Sequence, residues 1–225
     1  RSELDISQWL LVGGSWGTTL ALAYAQAHPQ QVLGLILRGI FLGRQKDVDW
    51  IYEAGGASRM FIDNWAGFQR PLAHTNAESE GQMVNTYYQL LTGPDELKRM
   101  AAAKAWAGWE DSIATLQPAQ TSGGDYDGAH FDLVLARIEC HYFVNDCFFE
   151  PNQLLNNMHK ISHIPGIIVH GRYDMICPAE QAFEVYDLWP ESQLHIVRDA
   201  GHSQQESGII DNLVKATREF ALKYA

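Results

Sequence analysis

A serine stands between glycines in the stretch Val-Gly-Gly-Ser-Trp-Gly at residues 12–17, where an apolar run gives way to a helix-forming run. The Gly-x-Ser-x-Gly spacing is typical of a sharp strand-to-helix turn that exposes the hydroxyl of a nucleophile, here Ser15. Its neighbours must be small, because the strand and the helix pass close to it. The backbone N–H of Trp16 is then expected to donate to an oxyanion. A dinucleotide-binding loop is the alternative, but Gly-x-Gly-x-x-Gly starting at Gly13 would need glycines where Ser15 and Thr18 stand.

A nucleophilic serine needs a general base, and the base needs a carboxylate that orients it. Proteins with this turn carry the three groups in the chain order serine, acid, histidine. His202 lies in a loop after the last predicted strand, from which it can be aimed over Ser15, and Asp174 follows the preceding strand. Asp199 is too close in sequence to His202 to orient it easily, and a histidine within a strand, such as His170, is expected to be structural. The predicted catalytic residues for acyl transfer are therefore Ser15, Asp174 and His202.

The elements that must position these residues alternate between strand and helix. Short, nearly continuous apolar runs predict strands over residues 9–12, 32–37, 166–170 and 193–197. Helical spacing of apolar residues predicts helices over residues 18–28, 179–188 and 209–224. This alternation predicts a parallel α/β sheet.

The middle of the chain has a different composition, rich in Trp, Ala, Met and Gln at helical spacing. We predict that it forms a mostly helical cap inserted between the second and third strands. The predicted divisions are a first part of the α/β core at 1–42, the cap at 43–164 and a second part of the core at 165–225.

Composition and charge narrow the class of protein. A net charge of −11 argues against a nucleic-acid partner, which needs a basic surface. No apolar stretch approaches the roughly 20 residues that span a bilayer, and no signal peptide is evident, so no membrane partner is expected. Three cysteines without ladder-like spacing favour a reducing, cytoplasmic compartment.

The stretch at residues 13–25, Gly-Gly-Ser-Trp-Gly-Thr-Thr-Leu-Ala-Leu-Ala-Tyr-Ala, resembles the proline iminopeptidases (prolyl aminopeptidases) of the α/β-hydrolase superfamily. Further stretches that are similar to this family lie at 50–52, 56–58, 136–143, 169–174 and 201–203. The resemblance implies an α/β-hydrolase fold with a cap and the release of N-terminal proline from peptides. It implies neither a metal nor an organic cofactor, and it assigns Ser15, Asp174 and His202 as nucleophile, orienting acid and general base.

The same resemblance assigns Glu110 and Glu139 to the substrate's free amine. A protonated amine in an enclosed pocket needs an anion to offset its lost hydration. The alternatives are an ordinary surface acid at Glu110 and a structural ion pair with an arginine at Glu139. Phe41, Tyr52 and Cys177 are expected pocket walls, although plain core packing explains the first two equally well.

One motif of the family is missing from the sequence. The family carries a His-Gly-Gly-Pro-Gly stretch upstream of the serine, and its backbone supplies a second oxyanion donor. This chain has no such stretch, so we expect it to be a C-terminal portion, holding the later strands of the sheet, that an upstream segment completes. Two alternatives to the peptidase remain open: an esterase or other acyl hydrolase with the same catalytic residues, and a catalytically silent binding protein.

Overall fold

A four-stranded parallel sheet organises the first of the two units into which the chain divides. The computed structural model describes residues 1–73, 82–117 and 128–224. The first unit contains Arg1–Leu42 and Pro151–Ala225, and the second contains Gly43–Glu150. The strands of the first unit are β1 (Trp9–Ser15), β2 (Val32–Ile40), β3 (Gly166–Gly171) and β4 (Ser192–Val197). They lie side by side in that order, and each pair is parallel.

The two central strands are the most apolar and the most deeply buried. All six residues of β3 are buried, as are seven of the nine in β2. β4 lies at an edge of the sheet and alternates between partly buried and exposed residues over most of its length. The register aligns Val12 with Ile36, Ile36 with Ile167, and Ile167 with Gln193. This pattern is typical of a sheet that helices cover where its strands are most apolar.

Three helices of the first unit pack against this sheet: α1 (Trp16–Ala27), α8 (Ala179–Asp187) and α9 (Ser207–Tyr224). The short helix α7 (Gln153–Asn156) packs against α1. Ala216 and Phe220 of α9 join Ile36, Ile167 and Val169 in one buried cluster. Burial of this apolar face stabilises both the helix and the centre of the sheet.

The second unit is helical in its described residues. It contains α2 (Gln45–Tyr52), α3 (Ile62–Gln69), α4 (Met83–Thr92), α5 (Glu96–Ile113) and α6 (Gly128–Phe143). Its core is a cluster of aromatic rings: Tyr52 stacks on Trp106 with ring centroids 4.1 Å apart, and Phe68 stacks on Tyr87 at 4.7 Å. Contacts between buried aromatic rings stabilise a fold by more than the burial of their apolar area alone.

Short single turns connect these elements. They cover Ser2–Leu4, Pro29–Gln31, Ala57–Arg59, Arg70–Leu72, Asp146–Phe148 and Met158–Lys160. No helix in the described part of the chain is both long and apolar enough to cross a membrane.

The predicted parallel α/β architecture is confirmed, with differences at the ends of elements. β1 and β2 each run three residues beyond the predicted ends, to Ser15 and Ile40. The helical unit ends at residue 150 rather than at the predicted 164. The intervening residues pack with the first unit, where Gln26 Nε2 donates a 2.7 Å hydrogen bond to the Leu154 carbonyl.

Candidate active site

Ser15 occupies the sharp turn between β1 and α1. Its backbone has φ 56° and ψ −123°, in the left-handed half of conformational space that residues with side chains rarely adopt. A Cβ atom on Gly13 would collide with the carbonyl of Gly17, so the close approach of strand and helix requires a glycine there. The strained backbone directs the serine side chain away from both elements. Trp16 follows as the first residue of α1, whose N-terminus carries partial positive charge.

Asp174 and His202 form a hydrogen-bonded pair in the same unit. His202 Nδ1 lies 2.8 Å from Asp174 Oδ2, and both residues are buried. The other carboxylate oxygen, Oδ1, accepts the backbone N–H groups of Ile176 at 3.0 Å and Cys177 at 2.7 Å. The acid is thus fixed on both sides, as a group that orients a histidine must be.

The pKa of Asp174 reflects these contacts. Burial acts to raise the pKa, but His202, His170 and the hydrogen bond from the Cys177 N–H outweigh burial and hold the pKa below its usual value. Asp174 is therefore ionised at neutral pH and favours a proton on the facing nitrogen of His202.

Arg38, at the end of β2, contacts the opposite side of the His202 ring. Its Nη1 lies 3.1 Å from His202 Nε2 and 3.0 Å from the His202 carbonyl. Because a guanidinium can only donate, Nε2 is the acceptor and the ring is neutral with its proton on Nδ1. This is the tautomer that a general base requires.

The structure brings the catalytic candidates to one end of the sheet without bonding all three. Ser15 pairs with Ile40 across β1 and β2, and a Cβ on the neighbouring Gly39 would lie 3.0 Å from His202 Cε1. Within residues 1–73, 82–117 and 128–224, no hydrogen bond joins Ser15 Oγ to His202, whose acceptor nitrogen faces Arg38. Proton transfer from Ser15 therefore requires a side-chain movement at this point.

Two of these residues also belong to a group whose side chains could hold a metal ion. Asp174, Cys177 and His202 each offer one ligand atom, and these atoms lie within 4.8 Å of one another. The hydrogen bond between the aspartate and the histidine already uses one atom of each. Their geometry is that of an acid–base pair.

Two glutamates of the second unit lie in an aromatic setting. Tyr52 OH donates to Glu110 Oε1, and Trp106 Nε1 donates to Glu139 Oε2 at 2.7 Å. The carboxyl of Glu110 also lies close enough to Glu139 to raise its pKa. These contacts differ from both sequence alternatives: Glu110 accepts a hydrogen bond from a buried tyrosine, and in the described ranges Glu139 accepts one from a tryptophan.

Burial and repulsion between like charges raise the pKa values of Glu139 and Tyr52. Burial, followed by the nearby Glu110, raises the pKa of Glu139 well above its usual range. Burial, with both glutamates, likewise raises the pKa of Tyr52. Two neighbouring acids whose charges repel each other in a buried setting would be stabilised by a cation between them.

The three expected pocket walls are all buried. Tyr52 is 2% exposed and Phe41 is 4% exposed. Cys177 is fully buried beside Asp174. Its N–H donates a hydrogen bond to the Asp174 carboxylate, and its carbonyl is hydrogen bonded to His170 Nε2. Tyr52 thus belongs to the glutamate group, whereas Phe41 and Cys177 lie in the first unit.

The sequence analysis missed two residues that contact the candidate site: Arg38, and Thr18, whose hydroxyl donates a 2.7 Å hydrogen bond to the Ser15 carbonyl. Arg38 gave one signal that could have been used, because it is a charged residue inside an apolar strand, in Leu-Ile-Leu-Arg-Gly-Ile-Phe at 35–41. Thr18 gave none, since a threonine in the first turn of a helix is common.

Comparison with known proteins gives consistent relationships. The chain matches the family model of the α/β hydrolase fold over residues 1–209. It is 45% identical over 221 residues to a proline iminopeptidase of Xylella fastidiosa (strain 9a5c), covering 98% of this chain and 69% of the relative. It is 47% identical over 220 residues to a proline iminopeptidase of Arabidopsis thaliana, covering 97% of this chain and 57% of the relative.

Among solved structures, the chain resembles a bromoperoxidase from Bacillus anthracis with a TM-score of 0.58 and 13% identity, over 98% of this chain and 70% of that one. At this identity, the likeness is one of fold.

Proposed function

We propose that this chain, which belongs to the proline iminopeptidases of the α/β-hydrolase fold, is a serine aminopeptidase that releases N-terminal proline from peptides. The observation that carries the proposal is the buried 2.8 Å hydrogen bond between His202 Nδ1 and Asp174 Oδ2, at the same end of the sheet as the strained turn of Ser15. A nucleophile on such a turn and a neutral, oriented imidazole are the parts that acyl transfer needs.

In the proposed reaction, Ser15 Oγ attacks the carbonyl carbon of the N-terminal prolyl residue while His202 Nε2 accepts the serine proton. Arg38 must first leave Nε2, because one lone pair cannot accept both donors. Asp174 stabilises the resulting imidazolium. The oxyanion accepts from the Trp16 N–H, His202 then protonates the leaving amine, and water hydrolyses the acyl-enzyme.

Glu110 and Glu139 are the proposed binding groups for the substrate's ammonium. Their closeness to each other and the surrounding aromatic rings support this role, since a desolvated cation needs a paired anion. Tyr52 holds Glu110, and Phe41 and Cys177 are proposed walls for the proline ring. The proposed partners are peptides with a free N-terminal proline, with no nucleic acid, membrane or cofactor.

The amine-binding role is tested by Glu110→Gln and Glu139→Gln, each of which removes a carboxyl group at nearly constant shape. We expect each to cost about 1.5–3 kcal/mol in transition-state stabilisation for a proline arylamide, the range for a hydrogen bond to a charged group. A small neutral ester should be hydrolysed almost as well as before. Asp111→Asn is the matched control, because Asp111 is an exposed acid on α5, the helix that carries Glu110. Equal losses on amide and ester would mean that the glutamates support the fold and do not bind the amine.

The peptidase is distinguished from an esterase by its preferred substrate. Parallel measurement of kcat/KM on a proline arylamide and on a short-chain acyl ester should favour the arylamide, and N-acetylation of the proline should abolish that preference. A stronger preference for the ester would overturn the proposal.

The first edge of the sheet supports a further part of the proposal. In the described ranges β1 pairs on one side only, with β2, and Val12 is 66% exposed. We assign this edge to an upstream segment of the same protein, which adds strands beside β1 and supplies the second oxyanion donor. The proposed compartment is the cytoplasm, in keeping with three cysteines that are all free and buried.

A further inference from the structure

Buried side chains hold three consecutive backbone N–H groups where β2 ends. The Ile40 N–H donates to His170 Nδ1 at 3.3 Å, the Phe41 N–H to Thr18 Oγ1 at 3.0 Å, and the Leu42 N–H to Gln181 Oε1 at 2.9 Å. We call residues 40–42 the β2 exit. Because each of these N–H groups has a buried side-chain acceptor, the path of the backbone is fixed where it leaves the sheet.

Thr18 differs from the other two side chains because it also contacts the nucleophile's own backbone. Its hydroxyl donates a 2.7 Å hydrogen bond to the Ser15 carbonyl while accepting from the Phe41 N–H. The side chain is fully buried. The same hydroxyl thus donates a hydrogen bond to the turn that carries Ser15 and accepts one from the β2 exit.

The β2 exit also borders the acid–base pair. A Cβ on Gly39, the residue before it, would lie 3.0 Å from His202 Cε1 and 3.3 Å from Asp174 Oδ2. His170 connects the same segment to the loop of the acid, since its Nε2 lies 2.8 Å from the Cys177 carbonyl. The β2 exit therefore follows a residue that lies against His202. Through Thr18, it is also bonded to the turn that carries Ser15.

We propose that Thr18 is a positioning residue that sets the place of Ser15 relative to His202 by bonding the nucleophile turn to the β2 exit. Ser15 holds an unfavourable backbone conformation, so its turn needs external support to stay in one place. The hydroxyl supplies that support at the peptide group next to the reacting oxygen.

The test replaces Thr18 with valine, which keeps the branched shape and removes the hydroxyl. Because small displacements of reacting groups are costly, we expect kcat on a proline arylamide to fall about 10-fold to 100-fold. KM should stay within about twofold, since Thr18 is proposed to act on Ser15 and not on the binding groups. Labelling of Ser15 by an organophosphonate should slow by a similar factor. Thr18→Ser restores the hydroxyl and should recover kcat to within about threefold.

Thr19 provides the matched control. It is equally buried in the same turn of α1, and its hydroxyl donates to the Phe41 carbonyl at 2.7 Å without reaching Ser15. Thr19→Val should lower the melting temperature as Thr18→Val does but leave kcat within about threefold. Equal loss of kcat in both variants, or normal kcat in Thr18→Val, would overturn the proposal.

Thr18→Ala gives a second variant without the hydroxyl if the valine does not fold. If neither variant folds while Thr18→Ser does, the hydroxyl serves the fold and the positioning role is wrong. The inference rests on the proposed catalytic role of Ser15 but not on the substrate. Should the wild-type protein not cleave the arylamide, the peptidase proposal fails, and the organophosphonate rates still decide the role of Thr18.

Discussion

Gly39 shows how closely a single residue can be tied to the acid–base pair. It has φ +59°, and a Cβ there would lie 3.0 Å from His202 Cε1. We expect Gly39→Ala to lower the free energy of unfolding by roughly 1–2 kcal/mol, the cost of a left-handed residue with a side chain. The displaced imidazole should also lower kcat by about 10-fold or more. Thermal unfolding and arylamide kinetics measure the two effects.

Gly67 is the control for this change, because it lies within α3 with open space around it. Gly67→Ala should stabilise the chain by up to about 1 kcal/mol and leave kcat unaltered. An active, unperturbed Gly39→Ala variant would contradict the close packing of His202 at this position.

The raised pKa of Glu139 predicts a dependence of stability on pH. Burial and Glu110 keep the proton on Glu139 in the folded chain at pH values where the unfolded chain has lost it. The folded state then binds more protons, so the free energy of unfolding falls as pH rises above about 4.3 toward the raised pKa. Below about 4.3 this contribution is fully present.

Glu139→Gln removes the titration and should remove this part of the pH dependence. We expect the melting temperature of the wild-type chain to fall relative to the variant as the pH rises above about 4. A constant difference between the two proteins over that range would show that Glu139 is not held protonated.

The sequence indicates the candidate residues of the site to different degrees. Ser15, Asp174 and His202 stand out because the chemistry restricts their type, order and place after strands. The contacts of Arg38 and Thr18 join residues far apart in sequence, which no rule on sequence spacing predicts. The bond of Thr18 to Phe41 joins segments 23 residues apart, and that of Arg38 to His202 joins segments 164 residues apart.

At the scale of elements, the long helix α5 carries two tryptophans and Glu110 of the candidate amine-binding group. Its N-cap is Asp95, whose Oδ1 accepts the Lys98 N–H at 3.1 Å. We expect Asp95→Ala to lower the free energy of unfolding by about 1 kcal/mol, because one end donor of the helix loses its partner. Asp95→Ser, which can make the same bond, should be nearly neutral in thermal unfolding.

Sequence patterns predicted the existence of the strands better than their ends. Apolar residues define Trp9–Val12, but the strand continues through two glycines to Ser15 because β2 pairs with it there. Glycine weakens a strand on its own, so only the neighbouring strand explains this extension. The end of the helical unit differs from the prediction for a similar reason: Leu154 is helical as expected, but its carbonyl bonds to Gln26 of the first unit.

At the scale of the whole molecule, the unpaired side of β1 has consequences for association. An exposed apolar strand edge invites pairing with other chains. We expect the 225-residue chain alone to be poorly soluble and weakly active. Adding the proposed upstream segment, even as a separate chain, should raise solubility and increase turnover by about 10²–10³ through the second oxyanion donor that we assign to it.

Light scattering and arylamide turnover, with and without that segment, measure this prediction. A soluble, monomeric 225-residue chain with full activity would contradict the assignment of the edge. The second oxyanion donor would then lie within these residues.

The central claim is that Ser15 is the nucleophile of a prolyl aminopeptidase. Its most direct test is the kcat of Ser15→Ala on a proline arylamide, measured in the full-length protein beside the wild type. We expect a loss of about a thousandfold or more, with thermal unfolding changed by less than about 0.5 kcal/mol because the substitution is small. A folded Ser15→Ala protein that keeps more than a few per cent of wild-type turnover would contradict the account.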